Sequence, residues 1–288
     1  MKIKLVLIAL LITFGANAQN LSAYKIFDKS GNEVDYTTMI NDLSDAEFVF
    51  FGELHNNPIS HWLELNVTKS LYEIKKENLV LGAEMFESDN QVIFDEYQQG
   101  IILEKNFEEE MRLWPNYETD YKPIVNFAIE NNVHFVATNI PRRYANVVFK
   151  QDFAGLDNIS HEAEKFIAPL PIKWDPEVAC YKEMIEGMQG MGGHGNETIA
   201  KAQAIKDATM AHFILKNWDK GNLFLHFNGS YHSDNHEGIC WYIYQEKPKA
   251  KIMTITTVLQ SDVSVLEEDY KNTADYIICV PEDMTTTY

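Results

Sequence analysis

Cysteine is scarce in this chain: Cys180, Cys240 and Cys279 are its only three among 288 residues. An odd, widely spaced set is not a disulfide framework. Cys240 and Cys279 fall in apolar runs, which points to buried free thiols, although an oxidising compartment would permit one bridge. Basic side chains are also few. Setting aside Lys2 and Lys4 leaves 22 of the 24 Lys and Arg residues against 43 acidic ones, a net charge near −21. That balance argues against nucleic acid or an anionic membrane as partner. Long apolar runs are missing as well. The longest candidate, Leu5 to Phe14, is far short of the ~20 residues that span a bilayer. The chain has no internal repeat and no HExxH, P-loop, GxGxxG or GxSxG, which disfavours ordinary zincins, nucleotide enzymes and α/β-hydrolases.

The short apolar run has a use of its own. Two lysines precede it and Ala16-Asn17-Ala18 follows, the pattern of a secretory signal peptide over residues 1–18. The expected mature protein, 19–288, is exported, periplasmic or secreted, and lacks a lipobox Cys for a lipid anchor. With 45% apolar and 12% aromatic residues, it can build one large packed core.

Apolar runs that read as strands are EFVFFG (47–52), LVLGAE (79–84), VHFVATN (133–139), NLFLHFNG (222–229), ICWYIY (239–244), KIMTITTV (251–258) and DYIICV (275–280). Helical patterns cover 58–76, 121–132 and 196–218. In the first, Ile59, Trp62, Leu63, Val67, Leu71 and Ile74 form an apolar stripe behind an Asn57 cap and Pro58; Asn196 would cap the third. Strands alternating with helices predict an α/β fold with a mainly parallel central sheet. Helical insertions are expected at about 88–120 and 141–221, the second forming a smaller helical subdomain or lid. EGMQGMGGHGNE (186–197), with five glycines in twelve residues, reads as a mobile loop.

Four of the strands end in chemistry. The first releases Glu53 and His55, the second Glu84, the third Asn139 followed by Arg142 and Arg143, and the fourth Asn228 and then GSYHSDNHEG, which carries His232. In a parallel sheet the carboxyl ends of strands share one edge, where ligands bind. Singly, each residue has a plainer use. Glu53 or Glu84 could cap a following helix, worth about 0.3–1 kcal/mol. Arg142 and Arg143 could be solvated, and His55 could be a turn residue. His61, His134, His161 and His212 show no acid at a suggestive spacing, and His226 lies inside a strand. Convergence of Glu53, His55, Glu84, Asn139, Arg142 and His232 is what independent capping does not require. Such a set could act as acid, base and oxyanion partner, or His55, Glu84 and His232, with Asp207 beside them, could hold a divalent metal such as Mn or Co for a hydrolase. The insertions supply haem-ligand chemistry instead: Trp114, Tyr117 and Tyr121 in LWPNYETDYKP, and Met184, Met188, Met191 and His194 near the Gly-rich loop. Core packing is the plainer use of these.

FFGELHNNPISH, LGAEMFESDNQ, WPNYETDYKPIVNFA, ATNIPRRYA, AQAIKDATMAHFI and HFNGSYH follow one another as in the ChaN-like proteins, which the region from about 45 to 245 resembles. These are haem-binding uptake proteins of the Tiki/TraB superfamily, with erythromycin esterases as distant relatives. The resemblance implies a parallel α/β core, an envelope location, iron-porphyrin binding with a tyrosine on iron, and dimers that can enclose haem. Residue by residue it carries over to Glu53, His55, Glu84, Asn139, Arg142, Gln203, Asp207 and His232, with Tyr121 as the ligand tyrosine and Tyr117 as its alternative. Met188 and His194 complete the expected haem contacts, and a homodimer or an envelope receptor are the expected partners. The last motif departs from the usual GNGH form by adding Tyr231 and a second His.

Overall fold

A computed structural model describes residues 21–187 and 196–288. The leader 1–18, Met188, Met191 and His194, and the side chain of Asn196 lie outside the described residues. Seven strands form one sheet: β1 (Lys25–Asp28), β2 (Phe48–Glu53), β3 (Leu79–Glu87), β4 (His134–Asn139), β5 (Leu223–Gly229), β6 (Ile252–Gln260) and β7 (Tyr276–Pro281). Their order is β1-β7-β6-β2-β5-β3-β4, and only β1 runs antiparallel to its neighbour. The expected mainly parallel α/β fold is what the chain forms.

The helices are α1 (Tyr36–Ser44), α2 (Pro58–Lys75), α3 (Gln91–Gln98), α4 (Glu104–Glu110), α5 (Lys122–Glu130), α6 (Arg142–Gln151), α7 (His161–Glu164), α8 (Ala179–Gly187), α9 (Asn196–Lys216) and α10 (Ile239–Glu246). The described residues of 88–120 and 141–221 are rich in helix. Among the described residues, no helix is long and apolar enough to cross a membrane. Every residue of β2 is buried, because alternate side chains enter two cores. Val49 and Phe51 pack with Leu63, Val67 and Leu71 of α2, whereas Phe48 and Phe50 pack with Ala204, Ala208 and Ala211 of α9 and Ile239 of α10.

Two sequence expectations need correction, and one strand goes unannounced by the sequence. ICWYIY is not a strand but the body of α10. Its buried positions, Ile239, Cys240, Tyr242 and Ile243, have helical spacing, which outweighs its strand-forming composition. The short edge strand β1 is not evident from the sequence, since KIFD is too brief to show a period. On α2, Leu63, Val67 and Leu71 are buried, but Trp62 and Ile74 are 51% and 50% exposed. The helix instead buries Ser60, His61, Glu64 and Thr68, a polar face turned toward the strand ends. Asn57 caps α2 as expected, its Oδ1 accepting from the amides of Ile59 (3.0 Å) and Ser60 (3.1 Å). All three cysteines are free and buried.

Candidate functional site: two acid–imidazole clusters at one sheet edge

The strand alternation that divides the core also divides the polar residues. Glu53 continues the Val49–Phe51 side of β2 and faces α2. On β3, Val80 packs against the α9 side and Ala83 against the α2 side, so Glu84 turns toward α9. Each glutamate meets a different histidine there.

On the α2 side, the Glu53 side chain is fully buried. Its Oε1 accepts from Tyr121 Oη at 2.7 Å and lies 2.7 Å from His55 Nδ1. His61 Nδ1 stands 3.0 Å from Glu64 Oε2 and 3.6 Å from Glu53 Oε2. Its Nε2 lies 3.1 Å from the His55 carbonyl and 3.4 Å from Asp120 Oδ2. Asn116 Nδ2 holds both that carbonyl (2.9 Å) and Asp120 Oδ2 (2.7 Å). Burial, with the neighbouring Glu64 charge, pushes the Glu53 carboxyl up to about 8. Burial likewise raises Glu64 to about 8, helped by Asp120.

On the α9 side, His232 is clamped. Its Nε2 lies 3.1 Å from Glu84 Oε1 and its Nδ1 contacts Asp207 Oδ1. Tyr181 Oη donates to Asp207 Oδ2 at 2.7 Å, and the Gln203 amide sits 2.9 Å from His232 Nε2. Glu84 Oε2 accepts from the Gly229 amide at 2.9 Å. Burial alone would lower the His232 pKa, but the charges of Glu84 and Asp207 push it up to about 10. For Glu84 burial acts upward and is overcome by the His232 charge, which holds the carboxyl well below the usual carboxylate range. Beneath this cluster His226 is buried between Thr138 (2.8 Å) and Asn228 (3.0 Å), and burial lowers it to about 4, keeping the ring neutral.

Gly229 is the seam. A Cβ there would stand 2.7 Å from His55 Nε2 and 3.6 Å from Glu84 Oε2, so only a glycine lets the two clusters approach. His55 is the accessible member, its side chain 36% exposed, with its ring 4.9 Å from the Trp114 ring. Burial would lower its pKa, but the bond and charge of Glu53 and the charge of Glu84 raise it. A half-open imidazole on a buried acid, beside an imidazolium held by two carboxylates, can accept and return protons.

Glu53, His55, Glu84 and His232 are thus brought together as the sequence suggested. Capping does not account for either glutamate: Asn57 caps α2, and Glu84 receives the Gly229 amide. Asp207 joins, but as the partner of His232. Asn139 acts on the backbone instead. Its Nδ2 donates to the Glu84 carbonyl at 2.9 Å, stitching β4 to β3 at the bulge between Ala83 and Glu87. Arg142 is exposed at the start of α6 and has no ion pair among the described residues, so it does not join the carboxylates. Arg143 instead binds Asp89 at 2.7 Å. The set expected to bind metal, His55, Glu84 and His232, does not present itself as ligands, because both His232 nitrogens face carboxylates. Sequence reasoning passes over His61, Glu64 and Asp120. The His61–Glu64 spacing of three residues on a helix is the available signal.

The sequence over residues 39–243 matches the family described as haem-binding uptake proteins, Tiki superfamily, ChaN. The chain belongs to this family. The fold of Campylobacter jejuni ChaN, whose structure shows cofacial haem binding, superposes with a TM-score of 0.67 at 19% identity, covering 88% of this chain and 96% of that one. A Bacillus cereus protein gives 0.50 at 9% identity over 90% and 95% of the two chains. The erythromycin esterase EreC gives 0.48 at 10% identity over 90% and 98%, too low a similarity to inform function. No curated protein matches the chain.

Proposed function

We propose that this chain is a haem-binding protein of the cell envelope that serves iron acquisition. The family match over residues 39–243 carries the reading, and the signal-peptide pattern of residues 1–18 supports export. A homodimer and delivery to an envelope receptor belong to the same proposal.

The two tyrosines chosen from sequence fit a haem iron poorly. The Tyr121 hydroxyl is buried and donates to Glu53, and burial with that acid's charge raises its pKa far above the usual phenol range. Tyr117 is packed against Phe86 and Phe107, and burial raises it too. Neither can shed its proton and reach a planar ligand without unpacking the core.

A different place suits an apolar macrocycle. A cavity of about 800 Å³ opens beside α9 and α10, walled by Leu170, Ile172, Leu215 and Trp218 among others. That volume lies within the ~300–1,000 Å³ typical of ligand pockets. His212 lines it, and burial, with the charge of Lys216, lowers its pKa, so the imidazole is neutral and its lone pair free for iron. Lys216 and Lys247 stand in the same wall as partners for carboxylate groups. Haem held there would be cargo, supplying iron for uptake. The hydrolase alternative has less support, since its metal set is not assembled.

Titrating the purified chain with hemin tests the proposal. A bound Soret spectrum is expected, lost in His212→Ala and kept in Tyr121→Phe. A spectrum identical to free hemin overturns the haem reading. Loss in Tyr121→Phe with retention in His212→Ala moves the haem away from this cavity. Mass spectrometry of the protein from envelope fractions of its host checks the leader: a mature N-terminus near Gln19 is expected, and an intact Met1 contradicts export.

A further inference from the structure

The α2-side cluster is short of hydrogens. Among the described residues, five buried side-chain oxygens lack a hydrogen-bond partner, and three of them belong to neighbours here: Glu53 Oε2, Glu64 Oε1 and Asn116 Oδ1. Unpaired buried acceptors of this kind are uncommon and costly, so a cluster of them asks for a cause.

His61 sharpens the question. Its Nε2 faces the His55 carbonyl, which can only accept, so Nε2 carries the hydrogen. In the neutral ring the Nδ1 lone pair then points among the Glu64 and Glu53 oxygens at 3.0 and 3.6 Å. With both carboxyls ionised, three groups direct lone pairs at one another, and no Lys or Arg among the described residues pairs with any of them.

We infer that Glu53, His61 and Glu64 form a binding site for one divalent transition cation of the Mn²⁺–Zn²⁺ series. One ligand atom from each lies within 4.8 Å of the other two, and all three residues are buried. Two donors each about 2.1 Å from a tetrahedral ion stand roughly 3.4 Å apart. The 3.0 and 3.6 Å separations around His61 Nδ1 bracket that value. One imidazole with two carboxylates suits Mn²⁺, Fe²⁺ or Zn²⁺, and leaves a position open on the ion.

The surroundings orient these donors as outer partners of a metal do. Tyr121 Oη and His55 Nδ1 both engage Glu53 Oε1, leaving Oε2 free. The His55 carbonyl fixes the His61 tautomer, and Asn116 holds Asp120 at 3.4 Å from Nε2. Tyr121, expected from sequence to bind haem iron, thereby becomes a positioning residue for a different site. A cavity of about 390 Å³ lies beside the cluster, with His61 and Asp120 in its wall, together with Trp62, Pro123 and Thr287.

Calorimetric titration of the chelator-treated full chain with MnCl₂ and, separately, ZnCl₂ tests the site. One equivalent is expected in the wild type and none in Glu64→Gln, whose amide keeps the carboxyl's shape. Tyr121→Phe should weaken affinity about 10–100-fold, the loss usual for an outer partner. Asp275→Asn, which alters an acid paired to His236 elsewhere, should bind as the wild type does. Circular dichroism checks that each variant is folded; if Glu64→Gln is not, the Tyr121→Phe shift decides. Absence of binding in the wild type overturns the site and shows that the carboxyls share protons instead. Unchanged binding in Glu64→Gln, or loss in Glu84→Gln alone, places the ion elsewhere and also overturns it. Hemin absorbance is read separately, so this inference and the haem proposal fail independently.

Discussion

Two clusters built from the same residue types, Glu, His and Asp, sit on opposite faces of one sheet edge and behave oppositely. Around His232 the imidazole touches an acid through each ring nitrogen, so it holds a proton to about 10 and keeps Glu84 ionised. Around His61 three acids, Glu53, Glu64 and Asp120, share a single imidazole. There burial wins, and Glu53 and Glu64 rise to about 8. At Glu84 the charge of His232 outweighs burial, whereas at Glu53 burial and the Glu64 charge outweigh the His55 bond and the His61 charge.

Removing the histidines should expose that difference most strongly. His232→Ala leaves Glu84 and Asp207 buried without their cation, and a loss of about 3–5 kcal/mol is expected from urea unfolding. His61→Ala, measured with chelator present, should cost less, about 1–3 kcal/mol, because the acids it abandons are largely neutral already. Equal losses would mean that the two clusters carry similar charge.

Gly229→Ala presses on the seam between them. The new methyl meets the His55 ring at 2.7 Å, and overpacking of this kind costs about 1–3 kcal/mol. The same change should move the chemical shifts of His55 while leaving those of His134 unchanged.

Within the α9-side cluster, pH dependence separates His232 from Glu84 by sign. His232 binds its proton more tightly when folded, so its contribution is complete below 6.5 and lost as pH rises from 6.5 toward about 10. Glu84 works in the other direction: its contribution is present above 4.5 and fades as acid protonates it in the fold. Glu53 and Glu64, raised to about 8, add a fall of the same sign that ends near pH 8. Unfolding free energies should therefore fall from pH 6 to 10 in the wild type, and the part above about pH 8 should flatten in His232→Ala. A flat wild-type profile would contradict the assigned imidazolium. The smallest effect is expected at Arg142→Ala. An exposed side chain without an ion pair should change stability by less than about 0.5 kcal/mol. A larger loss would show that Arg142 engages the site after all.

Much of this is legible in the chain itself. Runs such as FVFFGE and LVLGAE, apolar on both alternating sides, short and followed by helical patterns, read as strands covered by helices on both faces. The strand ends then have to share an edge, which is why Glu53, His55, Glu84 and His232 can be named together. Asn57 and Pro58 likewise announce α2 through backbone chemistry alone. ICWYIY misleads because its strand-forming composition masks a helical spacing of buried residues.

What the sequence could not decide is which residues face one another across that edge. Alternation by one residue sends Glu53 and Glu84 to opposite faces, and only the strand order β2-β5-β3 and the helices above them say what each meets. His61 looks idle along the chain because two of its acids, Glu53 and Asp120, come from other segments and become partners only when α2 packs on the sheet. Tyr121 reads as an accessible ligand because a phenol's burial is not written in its neighbours along the chain. Local chemistry fixed the elements and the polar residues they release. Pairing, burial and charge belong to the fold, since they depend on distances between residues that the chain itself keeps far apart.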